Sequence, residues 1–181
     1  GKQLIRKFDL GADSGTQHYG IGIKELWNID PAKHKPGRVI HGACWPIGGL
    51  FTGATGGSFL YHLPNNQVSL GLITDLSYSN PHLSPFDEMQ RMKLHPLYAE
   101  VLEGGERVSY GARALCKGGI QALPKLTVPG ALLSGCDAGF MNVLKIKGSH
   151  TAMKSGMLAA EAAFDELREG HSRTEASSYQ A

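Results

Sequence analysis

The sequence lacks the residues and spacings that would build a metal centre or a disulfide framework. Only three cysteines occur in 181 residues, Cys44, Cys116 and Cys136, at wide spacings and without a C-x-x-C pair. This arrangement predicts reduced thiols, and it excludes a zinc or iron–sulfur site built from the cysteines of this chain. The eight histidines fall in no ligand spacing such as H-E-x-x-H, so no metal site is predicted.

Strong net charge and long apolar runs are also missing. The net charge is +2 at pH 7 with both signs interspersed, which gives no electrostatic basis for nucleic acid binding. No apolar run approaches the ~20 residues that a membrane helix needs, and no signal peptide is recognisable. The chain does not begin with Met, and we interpret both ends as cut ends of a fragment from a longer protein.

Glycine, by contrast, is abundant, with 24 residues that cluster in loops and predict tight turns and close backbone approaches. The most informative cluster spans residues 135–156. It follows Gly130-Ala-Leu-Leu-Ser, a short apolar run that predicts a buried strand, and it precedes a predicted helix that ends at Glu166. Ser149 or Thr151 is expected to cap this helix.

The predicted helix carries a stripe of mostly small residues, which should let it lie close to a sheet. The stripe consists of Ala152, Gly156, Ala159, Ala160, Ala163 and Leu167. The free backbone N–H groups at the helix start would favour an anion or an electron-rich ring. The alternative is a strand, loop and helix that only close an ordinary α/β sheet.

The remaining periodicities predict an α+β fold, with a mixed or antiparallel sheet domain and helices joined to the strand-loop-helix piece. A short amphipathic helix is expected within residues 1–10. Alternation predicts strands at 19–29, 39–45 and 107–115, and a hairpin whose strands 58–63 and 68–74 flank the turn 64–67. A helix is predicted over 86–95, with Pro85 near its first position and Pro96 ending it.

Several strings of the sequence resemble the electron transfer flavoprotein–ubiquinone oxidoreductase family. They run in the family's order over roughly residues 1–168. They are Tyr19-Gly-Ile-Gly-Ile-Lys-Glu-Leu-Trp, Lys35-Pro-Gly-Arg, Gly56-Gly-Ser-Phe-Leu-Tyr-His-Leu, Asn80-Pro-His-Leu-Ser-Pro-Phe, Leu102-Glu-Gly-Gly, Tyr110-Gly-Ala-Arg-Ala-Leu and Gly139-Phe-Met-Asn-Val.

The resemblance implies a fragment of a flavoenzyme that passes electrons from reduced electron transfer flavoprotein to ubiquinone. Such an enzyme uses FAD and a [4Fe-4S] cluster and is peripheral to the bacterial or mitochondrial inner membrane. The cluster cysteines and the G-x-G-x-x-G turn for the FAD pyrophosphate are absent here. The isolated chain is therefore expected to bind FAD poorly and to be inactive.

The resemblance also implies a division of the chain into four parts. Residues 1–18 would be a partial FAD-domain segment, and 19–128 the ubiquinone-binding antiparallel sheet domain. Residues 129–168 would supply the closing strand, loop and helix of a glutathione-reductase-type FAD domain. Residues 169–181 would form a tail.

On the flavin side, the resemblance implies contacts at both ends of the glycine-rich segment. Asp137 would accept hydrogen bonds from the ribityl or pyrophosphate end, and Asn142 would donate to the flavin ring. The helix start would offer backbone N–H groups where negative charge builds up on reduction. The implied cofactor-binding residues are Asp137, Gly139, Asn142, Gly148, Thr151, Ala152 and Met153. For Asn142 alone, the alternative is that its side chain caps its own turn.

On the quinone side, the resemblance implies that Gly56 and Gly57 present backbone groups to a quinone carbonyl, since glycine lets a flat ring approach the main chain. Phe59, together with Phe51 and Leu60, would supply apolar walls. Thr55 stands where the family has an aromatic residue. The alternative for the glycine pair is a bulge at the start of a strand.

Two other functions remain open. A related flavin monooxygenase or geranylgeranyl reductase would share the flavin fold and act on other substrates. A non-catalytic module that binds a quinone or lipid would need only the β-rich part of the chain.

Overall fold

A computed structural model describes residues 1–43, 45–48, 54–143, 145, 148–171 and 174–180. The chain is a mixed α+β protein with two units. One unit combines residues 1–19 with 116–181, and the other comprises residues 20–115. The predicted sheet domain ended at 128, whereas the structure places 116–128 with the first unit.

The described residues form five α-helices and seven strands. The helices are α1 (Lys2–Lys7), α2 (Pro85–Lys93), α3 (Pro96–Leu102), α4 (Gly135–Ala138) and α5 (Ser149–Arg168). The strands are β1 (Tyr19–Asn28), β2 (Val39–Ala43), β3 (Gly56–Leu63), β4 (Gln67–Asp75), β5 (Glu106–Cys116), β6 (Thr127–Val128) and β7 (Ala131–Leu132). Short 3₁₀ turns occur at Ile120–Ala122 and Ser177–Tyr179.

The sheet of the second unit has the strand order β2-β3-β4-β1-β5. The β2–β3, β3–β4 and β1–β4 pairs are antiparallel, which confirms the predicted antiparallel sheet. The β3–β4 hairpin turns at Asn65 and Asn66, whose φ angles are 61° and 56°. Asparagine tolerates this left-handed backbone better than most residues, and two such residues in succession suit a tight hairpin turn.

Side chains alternate across the sheet, so that one face is buried and the other is partly open. On β3 and β4, Leu60, Val68, Leu70 and Leu72 are at most 1% exposed. They pack against Met89 of α2, with Met92, Tyr98, Val101 and Leu102 of α2 and α3 in the same core. The predicted helix at 86–95 is thus confirmed, with Ser84 as its cap and Pro85 at its start.

The helix α3 was not predicted, because Pro96 was interpreted only as the end of the preceding helix. Proline also suits a first helical position, where the backbone N–H has no intrahelical acceptor. The structure uses Pro96 in this way, and the Nδ1 of His95 accepts the Leu97 amide at 3.2 Å to cap α3.

One carboxylate lies on the buried face of the sheet. Glu25 of β1 is 3% exposed and accepts hydrogen bonds from the Trp27 indole (2.8 Å) and the Lys93 ammonium (3.0 Å). Arg107 of β5 lies 3.3 Å away and is 43% exposed. Burial by itself raises the pKa of Glu25, but these hydrogen bonds and the charge of Lys93 hold it below 4.5.

His62 is a second buried polar residue on the same face and is 4% exposed. Its Nδ1 accepts the Lys35 amide at 3.2 Å, while its Nε2 has no hydrogen-bond partner among the described residues. An accepting Nδ1 requires the neutral ring with its proton on Nε2. Burial, followed by the positive charges of His34, Arg38 and Lys35, lowers the pKa of His62 below 6.5.

The first unit has its own apolar core, assembled from segments far apart in sequence. The core residues are Leu10, Leu126, Val128, Leu133, Ala138, Ala162, Ala176 and Tyr179. The predicted tail contributes to it, since the Tyr179 hydroxyl donates to the Leu133 carbonyl at 2.9 Å. The predicted strand at 130–134 is reduced to β7, which among the described residues pairs with β6 in a two-stranded sheet.

The helix α5 was predicted with nearly the right end, but its packing face differs from the prediction. Ser155 and Ala162 are its buried residues, whereas Ala160 and Leu167 of the predicted stripe are exposed. The expected cap is also wrong. Gly148 occupies the N-cap position, and no side chain caps the helix. The Thr151 hydroxyl donates to the Phe140 and Gly148 carbonyls.

Candidate flavin and quinone sites

The glycine-rich segment folds around Gly139. Gly135 begins the single turn α4, and Gly139 ends it with a φ of 96°, a left-handed conformation that reverses the chain. The sequence placed Asp137 at the carboxyl end of a strand. The structure corrects this, because Asp137 lies within α4 with a side chain that is 76% exposed.

A buried serine that the sequence did not single out ties this segment to α5. The Ser155 hydroxyl accepts the Gly135 amide at 3.0 Å and donates to the Ala152 carbonyl at 3.0 Å. Ser155 is 4% exposed. No local pattern reveals such a contact, because its partners are separated by 20 residues. The only clue in the sequence is a polar residue on the side of α5 that faces the core.

Thr151 closes the loop from the other side. Its hydroxyl donates to the Phe140 carbonyl and also lies 3.0 Å from the Gly148 carbonyl. The side chain is therefore engaged in holding Phe140 and Gly148 against the first turn of α5. A role of Thr151 toward a cofactor would depend on its backbone N–H or on the free lone pairs of its oxygen.

The backbone hydrogen bonds of α5 change which amides can be expected at a flavin ring. The Ala152 amide already donates to the Gly148 carbonyl at 2.9 Å, and Met153 lies one residue further into the helix. In any α-helix, the amides without an intrahelical acceptor are those of the first turn, which here lies before Ala152. In α5 the first-turn positions are Ser149, His150 and Thr151, so Thr151 agrees with the prediction and Ala152 and Met153 lie beyond it.

Three of the predicted flavin residues line one cleft of about 590 Å³ in the first unit. These are Gly139, Asn142 and Thr151. The other side of the cleft is formed by residues 117–121, which include the pair Gly118 and Gly119. The cleft combines glycine backbone and apolar side chains with a few polar groups, which are the amides of Gln121 and Asn142, the Thr151 hydroxyl and the Lys117 ammonium, and this composition is typical of a ring-binding site.

Asn142 is partly engaged in its own turn. Its Oδ1 accepts the Lys145 amide at 3.0 Å, which is the self-capping alternative considered above. Its Nδ2 donates to none of the described residues. The turn therefore fixes the side chain through its oxygen.

The other predicted flavin residues do not line this cleft. Asp137 borders a separate cleft of about 350 Å³, together with the cationic Lys2 and Arg6. Gly148, Ala152 and Met153 line neither cleft, and Met153 is 64% exposed. The structure thus brings Gly139, Asn142 and Thr151 together and separates them from Asp137.

The glycine pair lies at the start of β3, between β2 and β4. Gly57 is opposite Ile73 of β4 and Ala43 of β2. A Cβ on Gly56 would sit 2.2 Å from the Ile73 carbonyl oxygen, and one on Gly57 would sit 2.9 Å from that of Gly42. Neither position has room for a side chain, whether or not the glycine pair contacts a ligand.

The backbone groups of the two glycines point in opposite directions. In β3, the His62 amide donates to the Arg38 carbonyl beside β2 at 2.9 Å. The backbone N–H and C=O groups of alternate residues in a strand point toward the same neighbouring strand. Those of Gly56 therefore point to the β2 side, and those of Gly57 point to β4. The described β2 pairing ends at Ala43 opposite Gly57, and in this register the position opposite Gly56 is Cys44, which lies outside the described residues.

The three residues expected to form apolar walls do not lie together on one described face. Phe59 lies on the partly open face, with its ring over Gly71 and 4.8 Å from the Tyr61 ring. Leu60 is 0% exposed on the opposite face and cannot share a wall with Phe59, which corrects that prediction. Phe51 lies outside the described residues, as does Cys44.

Position 55, where the sequence departs from the expected aromatic residue, carries a polar pair. The Thr55 hydroxyl donates to the Asp75 carboxylate, and the Asp75 amide donates to the Thr55 carbonyl at 2.9 Å. These bonds join the approach to β3 to the end of β4 and fix the backbone that leads into Gly56.

Two tests for other kinds of site gave no candidate within the part of the chain that the structure describes. No group of three or more His, Cys, Asp or Glu side chains there could hold a metal ion. No described helix combines the length and the apolar character needed to cross a bilayer.

The fold is shared with solved structures of other proteins. The chain superposes on a geranylgeranyl bacteriochlorophyll reductase-like protein from Thermoplasma acidophilum with a TM-score of 0.68 and 14% identity, covering 90% of this chain and 37% of that one. A flavin-dependent brominase gives a TM-score of 0.54 at 15% identity, covering 87% and 40%. At these identities the likeness defines a fold class and no activity.

Sequence comparison identifies the family. Residues 19–115 match the profile described as "ETF-QO, ubiquinone-binding". The chain is 65% identical over 170 residues to the electron transfer flavoprotein-ubiquinone oxidoreductase of Pseudomonas aeruginosa, covering 94% of this chain and 30% of that protein. It is 60% identical over 168 residues to the mitochondrial enzyme of that name from Bos taurus, covering 92% and 27%. The chain belongs to the electron transfer flavoprotein–ubiquinone oxidoreductase family, and it spans about three-tenths of the length of these relatives.

Proposed function

We propose that this chain is the quinone-binding part, with an adjoining piece of the flavin-binding part, of an enzyme that passes electrons from reduced electron transfer flavoprotein to ubiquinone. One observation carries the proposal. The ubiquinone-binding profile covers residues 19–115, which coincides with the sheet unit of residues 20–115. The predicted quinone residues Gly56, Gly57 and Phe59 all lie in this unit.

Gly56 is the main candidate for a backbone contact with the quinone. Its N–H and C=O face the β2 side of the sheet, whereas those of Gly57 face β4. A ring carbonyl could accept the Gly56 N–H, since no side chain stands in its way. Phe59 follows on the open face of the same strand and offers apolar surface to the ring.

The cleft that contains Gly139, Asn142 and Thr151 fits the ring of a flavin. Its volume of about 590 Å³ lies within the range of small-molecule sites, and the Nδ2 of Asn142, which donates to none of the described residues, suits a ring carbonyl or nitrogen. The first-turn amides of α5 favour negative charge at their end of the ring. FAD bound there would supply reversible uptake and release of electrons.

Asp137 remains a proposed contact for the ribityl or pyrophosphate end of FAD, although it borders a different cleft from Asn142. A dinucleotide is long enough to reach beyond one cleft, so this separation is compatible with a single bound molecule. The glutathione-reductase-type architecture of this part is likewise a proposal, since residues 129–168 supply only a short strand pair and two helices.

The [4Fe-4S] cluster does not fit the described residues, which offer no set of ligands for it. We place the cluster in the part of the whole protein that lies outside this chain, and we derive no step through it. Peripheral association with the inner membrane belongs to the same proposal, because ubiquinone is a lipid-soluble substrate.

The whole protein provides the test. Purified full-length enzyme should show flavin absorbance and should reduce a ubiquinone analogue with electrons from reduced electron transfer flavoprotein. The variant Phe59→Ala should raise the quinone KM about fivefold to tenfold at constant flavin content, which corresponds to about 1 kcal/mol of lost apolar contact. Val39→Ala is the matched control, since Val39 is an exposed apolar residue of the neighbouring strand.

The outcomes separate the activity from the site. Full-length protein that lacks flavin absorbance, or that does not oxidise the partner flavoprotein, would contradict the proposed function. An unchanged KM in Phe59→Ala would contradict the quinone site alone. Gly57→Val is a poorer test, because the new Cβ would sit 2.9 Å from the Gly42 carbonyl oxygen and would disturb β3 itself.

A further inference from the structure

The side chain of Gln17 connects the segment before β1 with one side of the candidate flavin cleft. Its Oε1 accepts the Gly118 amide at 2.7 Å and the His18 amide at 3.1 Å. Its Nε2 donates to the Ala122 carbonyl at 3.4 Å. Gly118 and Ala122 are the two ends of the loop 118–122. We call the pair of hydrogen bonds from Gln17 to these two ends the Gln17 bridge.

The loop that the bridge spans forms part of the cleft wall, through its residues 118–121. Gly119 has a φ of 75° and a ψ of −166°, a backbone conformation that is essentially restricted to glycine. Two adjacent glycines leave the backbone more freedom than any other pair of residues. The Gln17 bridge therefore restrains a stretch that its own side chains restrain little.

Gln17 also lies against the opposite side of the cleft, at Gly139. A Cβ added at Gly139 would sit 3.1 Å from the Gln17 Nε2, and one added at Gly118 would sit 2.6 Å from its Oε1. Both glycines border the cleft, and Gln17 itself borders the neighbouring cleft that contains Asp137. The Gln17 amide group thus lies between the two clefts and spaces Gly118 from Gly139.

We propose that Gln17 is a positioning residue for the flavin ring. Through the Gln17 bridge it fixes the backbone of residues 118–122 at a set distance from Gly139, so that the cleft is formed before the ring binds. A preformed cleft binds more tightly, because less of the chain has to be ordered on binding. This inference rests on the proposed function, since it takes the cleft as the site of the flavin ring.

The neutral amide of Gln17 also matters for a ring that becomes more negative when it is reduced. A carboxylate at position 17 would still accept the Gly118 and His18 amides, and these two bonds favour its ionised form. It would lose the donor to the Ala122 carbonyl and would place a negative charge behind the ring. Glutamine and glutamate at this position should therefore differ in their effect on the reduction potential of the flavin.

The variant Gln17→Met tests the bridge, because methionine has a similar length and makes neither hydrogen bond. In the full-length enzyme it should raise the FAD dissociation constant about tenfold. It should also speed hydrogen exchange of the Gly118 amide about tenfold to hundredfold, since this amide loses its acceptor. Reconstitution of the apoenzyme followed by flavin fluorescence measures the first effect, and hydrogen exchange mass spectrometry measures the second.

The variant Gln17→Glu separates a position beside the ring from a merely structural role. It should keep slow exchange at Gly118 and should disfavour reduction of the flavin about tenfold, which corresponds to about 59 mV in a one-electron step. This size is expected for a charge roughly 10 Å from the ring at an effective dielectric constant of about 20. A redox titration followed by visible absorbance measures the shift.

Gln180→Met is the matched control. The Gln180 Oε1 accepts the Leu126 amide at 2.6 Å in the same unit, and Gln180 borders neither cleft. The control should change neither the FAD dissociation constant nor the reduction potential, although it also removes a bond from a side chain to the backbone.

The outcomes separate this inference from the proposed function. In a flavin-containing enzyme, an FAD dissociation constant in Gln17→Met equal to that of the control would overturn the inference and leave the proposed function standing. An unchanged potential in Gln17→Glu would overturn it as well. Wild-type full-length protein without flavin would overturn the proposed function and, with it, the role of Gln17.

Discussion

Replacing Glu25 by Gln should destabilise the sheet unit severely, although the change removes only a charge. Glu25 is 3% exposed, and Gln can still accept the Trp27 indole N–H. The ammonium of Lys93, whose side chain is 15% exposed, would lose its carboxylate without gaining access to water. A buried cation without a counter-charge is the main source of the expected loss.

The magnitude follows from the burial of the two cations. Removing one partner of a fully buried pair costs about 3–5 kcal/mol, and the value at Glu25 should lie near the lower end, about 3 kcal/mol. Arg107 adds little, because it is 43% exposed and is screened by solvent. With a urea m-value of about 1.5 kcal/mol/M for a unit of this size, the midpoint should fall by about 2 M.

Tryptophan fluorescence reports this transition selectively. Both tryptophans of the chain, Trp27 and Trp45, belong to the sheet unit, and Trp27 bonds directly to Glu25. Glu103→Gln is the matched control, since Glu103 pairs with Lys33 at 3.1 Å but is 82% exposed. The control should shift the midpoint by less than about 0.5 M.

The pH dependence of the unfolding midpoint gives the result that could refute this reasoning. The pKa of Glu25 lies below 4.5, so its contribution is complete above about pH 4.5 and is lost as the pH falls through the lowered pKa. Glu25→Gln should lack that acid loss. A midpoint equal to that of the control, or an unchanged acid limb, would show that the buried ion pair does not stabilise the unit.

Two further predictions concern His62 and Ser155. Because the pKa of His62 is lowered from 6.5, the unfolded state takes up its proton first, and stability should decline as the pH falls below about 6.5. Urea midpoints at pH 7.5 and 5.5 should show this decline in the native chain and less of it in His62→Gln, with His41→Gln behaving as native. Ser155→Ala should leave the Gly135 amide without its acceptor and speed its hydrogen exchange about tenfold to hundredfold, with exposed Ser149→Ala as control. Unchanged exchange at Gly135 would remove Ser155 as its anchor.

Local patterns were sufficient to predict the hairpin and the helix α2. Strand β3 alternates between buried and partly open positions, β4 does so except at Gly71, and the turn residues Pro64-Asn-Asn-Gln agree with a hairpin between them. Ser84 and Pro85 likewise mark a helix start through bonds made within one turn. In both places the stabilising contacts are close in sequence.

The packing of the first unit could not be predicted in the same way, because its contacts join distant residues. Tyr179 reaches Leu133 across 46 positions, and Ser155 reaches Gly135 across 20. The small residues of α5 indicated a helix that packs closely, but they did not show which side would be buried. Only the three-dimensional arrangement selects Ala162 over Ala160.

The candidate flavin site shows both the strength and the limit of a family resemblance. It led to Gly139, Asn142 and Thr151, which line one cleft. It did not show that Gly139 reverses the chain and leaves Asp137 beside another cleft. It also placed the free amides too late in α5, because an N-cap without a side-chain signal is not visible in the sequence.

The sheet unit is inserted into the first unit, and the two points of insertion are neighbours. The Lys117 amide donates to the His18 carbonyl at 2.8 Å, and the Gly15 amide donates to the Gln121 carbonyl at 2.6 Å. During synthesis, residues 20–115 leave the ribosome before residues 116–181, so the inserted unit can complete its folding while its host still lacks most of its core. Closely spaced ends are also what allow one domain to be exchanged for another within a loop of its host.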